Sequence, residues 1–107
     1  MSEVDSREVV TGAFAPTPDG ERWIYEGGLT FDNAAEVVEA ALELPLPKSG
    51  RVDLEKLDPA DSSALAALFA LKRRAHGQRK SLVFERMPPG LASLAKVYGV
   101  EEILDSH

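Results

Sequence analysis

Three aspartates and a serine stand close together in this sequence: Asp53, Asp58, Asp61 and Ser62. Carboxylates at such density can hold a divalent cation or accept a phosphoryl group, and a serine hydroxyl can act as a nucleophile. The spacing argues against these chemistries. Asp-x4-Asp-x2-Asp fits no cation-binding loop, and aspartates between a strand and a helix ordinarily cap the helix or face water. A nucleophilic serine needs a base within hydrogen-bond reach. His76 lies fourteen residues further on, about 20 Å away if a helix rising ~1.5 Å per residue joins them. His107 is more distant again, and there is no cysteine, so disulfides and thiolate metal sites are excluded and a histidine metal cluster is not expected. Gly27-Gly28 precedes no Lys-Ser pair, which removes the glycine-rich phosphate loop. We therefore expect no catalytic residues, no cofactor and no metal.

Asp61 and Ser62 instead read as the opening of a helix. Ala64, Leu65, Leu68, Leu71 and Ala75 recur at helical spacing and predict a buried stripe from about Ser62 to Ala75. Ser62, Ala66, Phe69 and Arg73 fall on the opposite side. Free N–H groups and the positive end of the helix dipole meet at Ser62, so an anion there is stabilised locally. Asp61 or Ser62 can equally be an ordinary N-cap worth about 1 kcal/mol. Phe69 and Arg73 are residue types that dominate protein interfaces. Phe69 also sits near the edge of the stripe, so core and interface both remain open for it.

The elements around this helix follow from period and punctuation. Residues 1–10 have no period and read as a flexible tail, leaving 11–107 as one domain. A hairpin is expected over 11–31, with Phe14 and Ala15 in a first strand, Asp19-Gly20 in the turn, and Trp23, Tyr25 and Leu29 on one face of the second strand. Pro16 and Pro18 keep the first strand short or at a sheet edge. Asp32 is expected to cap a helix reaching about Leu44, with Ala34, Val37, Val38 and Ala41 inward. Pro45 and Pro47 end it. Val52-Asp53-Leu54 starts a strand that runs loosely to Leu57, and 58–62 reads as a loop rich in capping residues. Gly77 is expected to stop the long helix. Leu82-Val83-Phe84 is a further strand, and Pro88-Pro89 introduces a helix to about Tyr98, with Leu91, Leu94 and Ala95 inward. Val100, Ile103 and Leu104 add an apolar turn or short helix. The order is β-β-α-β-α-β-α: an α/β domain with a mixed sheet of about four to five strands covered by about three to four helices.

At 107 residues with a formal charge of −6, the chain is one domain ill suited to nonspecific nucleic-acid binding. Residues 1–60 carry thirteen acidic and five basic side chains, whereas 61–107 carry five and seven. The basic excess gathers at Lys72, Arg73, Arg74, Arg79 and Lys80, either as the solvated end of a helix or as half of a charge-complementary interface. No run approaches the ~20 apolar residues of a membrane span, and the acidic start lacks the pattern of a secretory signal. A soluble cytoplasmic protein without direct membrane insertion is expected.

The element order and three segments give the sequence a family resemblance. Val52-Asp53-Leu54 followed by Ala60-Asp61-Ser62-Ser63-Ala64-Leu65 is similar to the strand–loop–helix signature of the STAS family, the fold of anti-sigma-factor antagonists and sulfate-transporter domains. Leu94-Ala95-Lys96-Val97-Tyr98-Gly99-Val100 and Gly28-Leu29-Thr30-Phe31 resemble the MlaB branch, the STAS subunit of the MlaFEDB phospholipid transporter. The resemblance covers about residues 14–105. It implies a STAS fold and a non-enzymatic role in binding partner proteins; together with the outward face of the helix read above, the expected partner-binding residues are Asp61, Ser62, Ser63, Ala66, Phe69 and Arg73. In the MlaB branch the implied partner is the ABC-type ATPase subunit, peripheral to the inner membrane. In phosphoregulated antagonists it is an anti-sigma kinase that phosphorylates the position of Ser62. A phosphate there would add about −1.5 to −2 charge beside Asp61. Ala64 replaces the signature's glycine, a better helix former that removes any close backbone approach.

Overall fold

The structure, a computed structural model, describes residues 9–105; the tail expected over 1–10 lies outside these residues apart from Val9 and Val10. Four strands form one sheet in the order β1-β2-β3-β4: β1 (Gly12–Pro16), β2 (Arg22–Leu29), β3 (Arg51–Ala60) and β4 (Val83–Glu85). β1 runs antiparallel to β2, and β2, β3 and β4 run parallel. The helices are α1 (Ala34–Leu42), α2 (Ser62–Gly77), α3 (Pro89–Val97) and α4 (Glu101–Asp105). The mixed α/β architecture agrees with the order expected from the sequence, the last apolar turn being a short fourth helix.

Strand alternation builds the core. Phe14, Trp23, Tyr25, Val52, Leu54 and Phe84 are buried, whereas Ala13, Ala15 and Glu26 between such positions are exposed. Phe14 meets the Trp23 and Tyr25 rings at 5.5 and 4.6 Å between centroids. The helices contribute Val37 and Ala41 from α1, Leu65, Leu68 and Leu71 from α2, Leu91 and Ala95 from α3, and Leu104 from α4. Each large side chain removed from water here stabilises the fold by roughly 1.5–3 kcal/mol. The buried polar tips are satisfied. Trp23 Nε1 donates to Pro45 O at 3.0 Å. Tyr25 Oη donates to Gly28 O at 2.6 Å, and burial pushes its pKa up to about 12.

The expected stripe of α2 is buried throughout, with Ala67 added to it. Two of the cations at its end, Lys72 and Arg74, are engaged inside the molecule. Arg74 donates to Ala41 O and Leu44 O, at 2.8 and 2.7 Å, tying α2 to the carbonyls at the end of α1. Lys72 Nζ donates to Leu82 O at 2.7 Å and lies 5.7 Å from the Phe84 ring centre. Arg73 is exposed.

Three local expectations are corrected. Asp32 does not cap α1; the N-cap is Asn33, which is buried and turned inward, accepting from Thr30 N and donating to Gly28 O. Asp58 and Pro59 belong to β3 rather than to a loop. β4 pairs only with residues 51–53 of β3, so among the described residues the far half of β3 has one neighbour strand, β2, and Pro59 breaks no ladder with β4. Gly77 is the last helical residue of α2 and does not stop it. The chain reverses at Arg79, which takes a left-handed φ of 58°, with Lys80 N bonding to Ala75 O and Arg79 N to His76 O.

Candidate functional site

Parallel pairing of β2 with β3 brings together two chain segments that are distant in sequence. Leu29 is aligned with Ala60 at the carboxyl ends of these strands. Beyond them, the Thr30–Asn33 turn lies beside the start of α2. Asp61 joins the two: Oδ1 accepts from Ser63 N at 2.8 Å and Oδ2 from Phe31 N at 3.0 Å. It is therefore an N-cap, as one alternative from the sequence had it, and also a tie to a loop thirty positions away.

Ser62 follows on the first turn of α2 and is exposed, as is Ala66; Phe69 is half-buried and packs on the core edge. These three line an open groove of about 390 Å³ together with Leu65, Tyr98 and Val100. The opposite wall comes from the end of α3. Gly99 takes φ 69°, a left-handed conformation that costs glycine little. Gly99 N bonds to Lys96 O, and Val100 N to Ala95 O. This αL turn directs the chain from Tyr98 through Val100 into α4 and sets both residues against α2. Tyr98 remains 58% exposed, Val97 78% and Phe31 82%.

Of the residues singled out in the sequence, Ser62, Ala66 and Phe69 thus meet in one groove and Asp61 supports it from behind. Ser63 is half-buried, and Arg73 is exposed further along α2; neither lines the groove. Tyr98, Val100 and Phe31 were not singled out. Tyr98 and Val100 stand at a helix end within the Leu94–Val100 segment that carries the family resemblance, and Phe31 sits in a loop where no period applies. The Gly28-Leu29-Thr30-Phe31 segment of the resemblance contains it, without marking it as a contact residue.

The three aspartates do not converge. Asp53 is buried and held by Arg86, which also pairs with Glu55 at 3.1 Å. That guanidinium keeps the Asp53 carboxyl below its usual range against the opposing effect of burial. Asp58 is exposed. Among the described residues no cluster of histidine and carboxylate side chains has the arrangement of a metal site, and no helix is long and apolar enough to cross a membrane. His76 stands at the far end of α2 from Ser62, so the groove pairs no nucleophile with a base. Its chemistry is that of a binding surface: apolar walls, two aromatic rings and one hydroxyl at a helix amino end.

No curated protein is similar enough to count as a match. The family described as "Mlab, STAS domain" matches residues 26–105, from β2 through α4 and including every groove residue. STAS domains are generally non-enzymatic modules of protein–protein interaction. The chain belongs to the STAS family.

Proposed function

We propose that this protein is a cytoplasmic, non-enzymatic subunit that docks through the α2 groove on the ATPase of an ABC-type phospholipid transporter. The observation carrying this proposal is the groove itself. Phe69, Tyr98 and the small residue Ala66 line it together, leaving an open apolar recess that a partner side chain can fill. Aromatic anchors in such pockets supply most of the affinity of protein interfaces. The likeness to the MlaB branch supports the choice of partner, because the Leu94–Val100 segment that carries the likeness also builds one wall of the groove.

The test is titration of the purified protein with the ATPase subunit of an ABC-type phospholipid transporter from the same organism. Wild type binds, and Ala66→Arg, which fills the groove from an exposed helical position, abolishes binding while the melting temperature stays within a few degrees. Equal binding by Ala66→Arg refutes the docking site. A second proposal, an anti-sigma-factor antagonist switched by phosphorylation, is favoured by the exposure of Ser62 at the amino end of α2. Incubation with the corresponding anti-sigma kinase and ATP decides it: the switch requires phosphate on Ser62, and its absence removes that role.

A further inference from the structure

Resting on the docking role proposed above, we infer that Phe31 is a second anchor, inserted into an apolar pocket on the partner protein whose rim carries lysine or arginine. Phe31 is 82% exposed, a costly placement for a ring of this size, since burying it would gain roughly 1.5–3 kcal/mol. The surrounding loop is nevertheless fixed. Asp61 Oδ2 holds the Phe31 amide at 3.0 Å, Thr30 Oγ1 accepts from Asp32 N at 3.2 Å, and Asn33 ties Thr30 to Gly28. An exposed aromatic on a rigid loop loses little conformational entropy when it binds, which is the economy of a preorganised anchor.

Charge identifies the kind of surface that receives the ring. Asp32 follows Phe31 directly, Glu36 lies in the first turn of α1 and Asp58 lies near the carboxyl end of β3; all are exposed, and none forms an ion pair among the described residues. Three exposed carboxylates at the same end of the sheet as the ring fit a partner pocket edged by cations; an anionic or wholly apolar rim would leave them uncompensated. Ser62 lines the groove, and Asp61 beside it holds the Phe31 amide, so the recess and the loop bearing the ring meet at the start of α2. The fitting partner is therefore a folded protein face with its own projection and its own recess, rather than an isolated extended peptide.

The probe is the same ATPase subunit, measured with four proteins by calorimetry and by association kinetics at low and high salt. Phe31→Ala keeps the backbone N–H that Asp61 accepts, so its melting temperature stays at the wild-type value. Its affinity falls about 30-fold or more, the scale of an interface hot spot. Asp32→Asn/Asp58→Asn slows association and flattens its dependence on salt. If Ala66→Arg abolishes binding while Phe31→Ala binds as wild type, the second anchor is refuted and the groove stands. Wild-type salt dependence in Asp32→Asn/Asp58→Asn refutes the cationic rim. If the wild-type protein does not bind the ATPase, or Ala66→Arg binds as well as wild type, both proposals fall together.

Discussion

Replacing Asp61 by alanine removes two hydrogen bonds with one substitution, and their separate worth can be estimated. Loss of the bond to Ser63 N is the loss of an N-cap, about 1 kcal/mol. Loss of the bond to Phe31 N removes a charge-assisted contact at a partly exposed site, roughly another 1 kcal/mol. Asp61→Ala should therefore cost about 2 kcal/mol. Asn caps helices nearly as well as Asp and keeps a side-chain oxygen, so Asp61→Asn should cost less than about half as much. Urea unfolding is the assay. With a slope of roughly 1.5 kcal/mol/M, the midpoint of Asp61→Ala moves down by ~1.3 M at unchanged slope. Amide exchange adds the local signature: the amides of Phe31 and Ser63 lose protection together, despite their separation in sequence. A stability change below about 0.5 kcal/mol, the range of ordinary surface substitutions, would refute the double role. So would protection of the Phe31 amide that survives the loss of the carboxylate.

The other expectations concern separate parts of the molecule. Arg79→Gly places glycine at a left-handed position that ends α2, and should stabilise by about 0.5–1 kcal/mol, raising Tm by a few degrees; a lower Tm would mean that the Arg79 side chain supports the fold. Asp53 titrates below 3.8 because Arg86 hydrogen-bonds its carboxylate. The stability it adds is therefore complete above that ordinary value and disappears as acidification passes the lowered folded value. Unfolding curves between about pH 5 and pH 2 should thus fall more steeply for wild type than for Arg86→Gln, and parallel curves would refute the coupling. Binding of the ATPase should be lost in Ala66→Arg and weakened about 30-fold in Phe31→Ala, as set out above.

Most of the scaffold was legible because its signals are periodic. The Trp23, Tyr25, Leu29 series and the Ala64-to-Ala75 stripe each mark one buried face, and all of these residues are buried. Non-periodic features were harder. Asp58-Pro59 reads as a loop because both residue types are depleted in strands; only the shortness of β4 explains why β3 can contain them. Asp32 and Asn33 are both good caps. The choice falls to Asn33 because its amide can donate to Gly28 O, a contact that no carboxylate could make. Gly77 resembles a helix stop, yet the stop depends on which residue turns left-handed, and that is Arg79. At the site, Ser62, Ala66 and Phe69 could be grouped from helical spacing alone. Tyr98 and Phe31 join them only through the αL turn at Gly99 and the β2–β3 pairing, which are tertiary facts.

The alignment of Leu29 with Ala60 has a bearing on assembly. Neither the ring of Phe31 nor the hydroxyl of Ser62 identifies the protein alone, since short stretches bearing either occur in any unfolded chain. Only a completed sheet sets them side by side. A partner that must engage both at once is thereby selective for finished copies, and chains that have slipped register or stalled before β3 pairs are passed over without any separate inspection step.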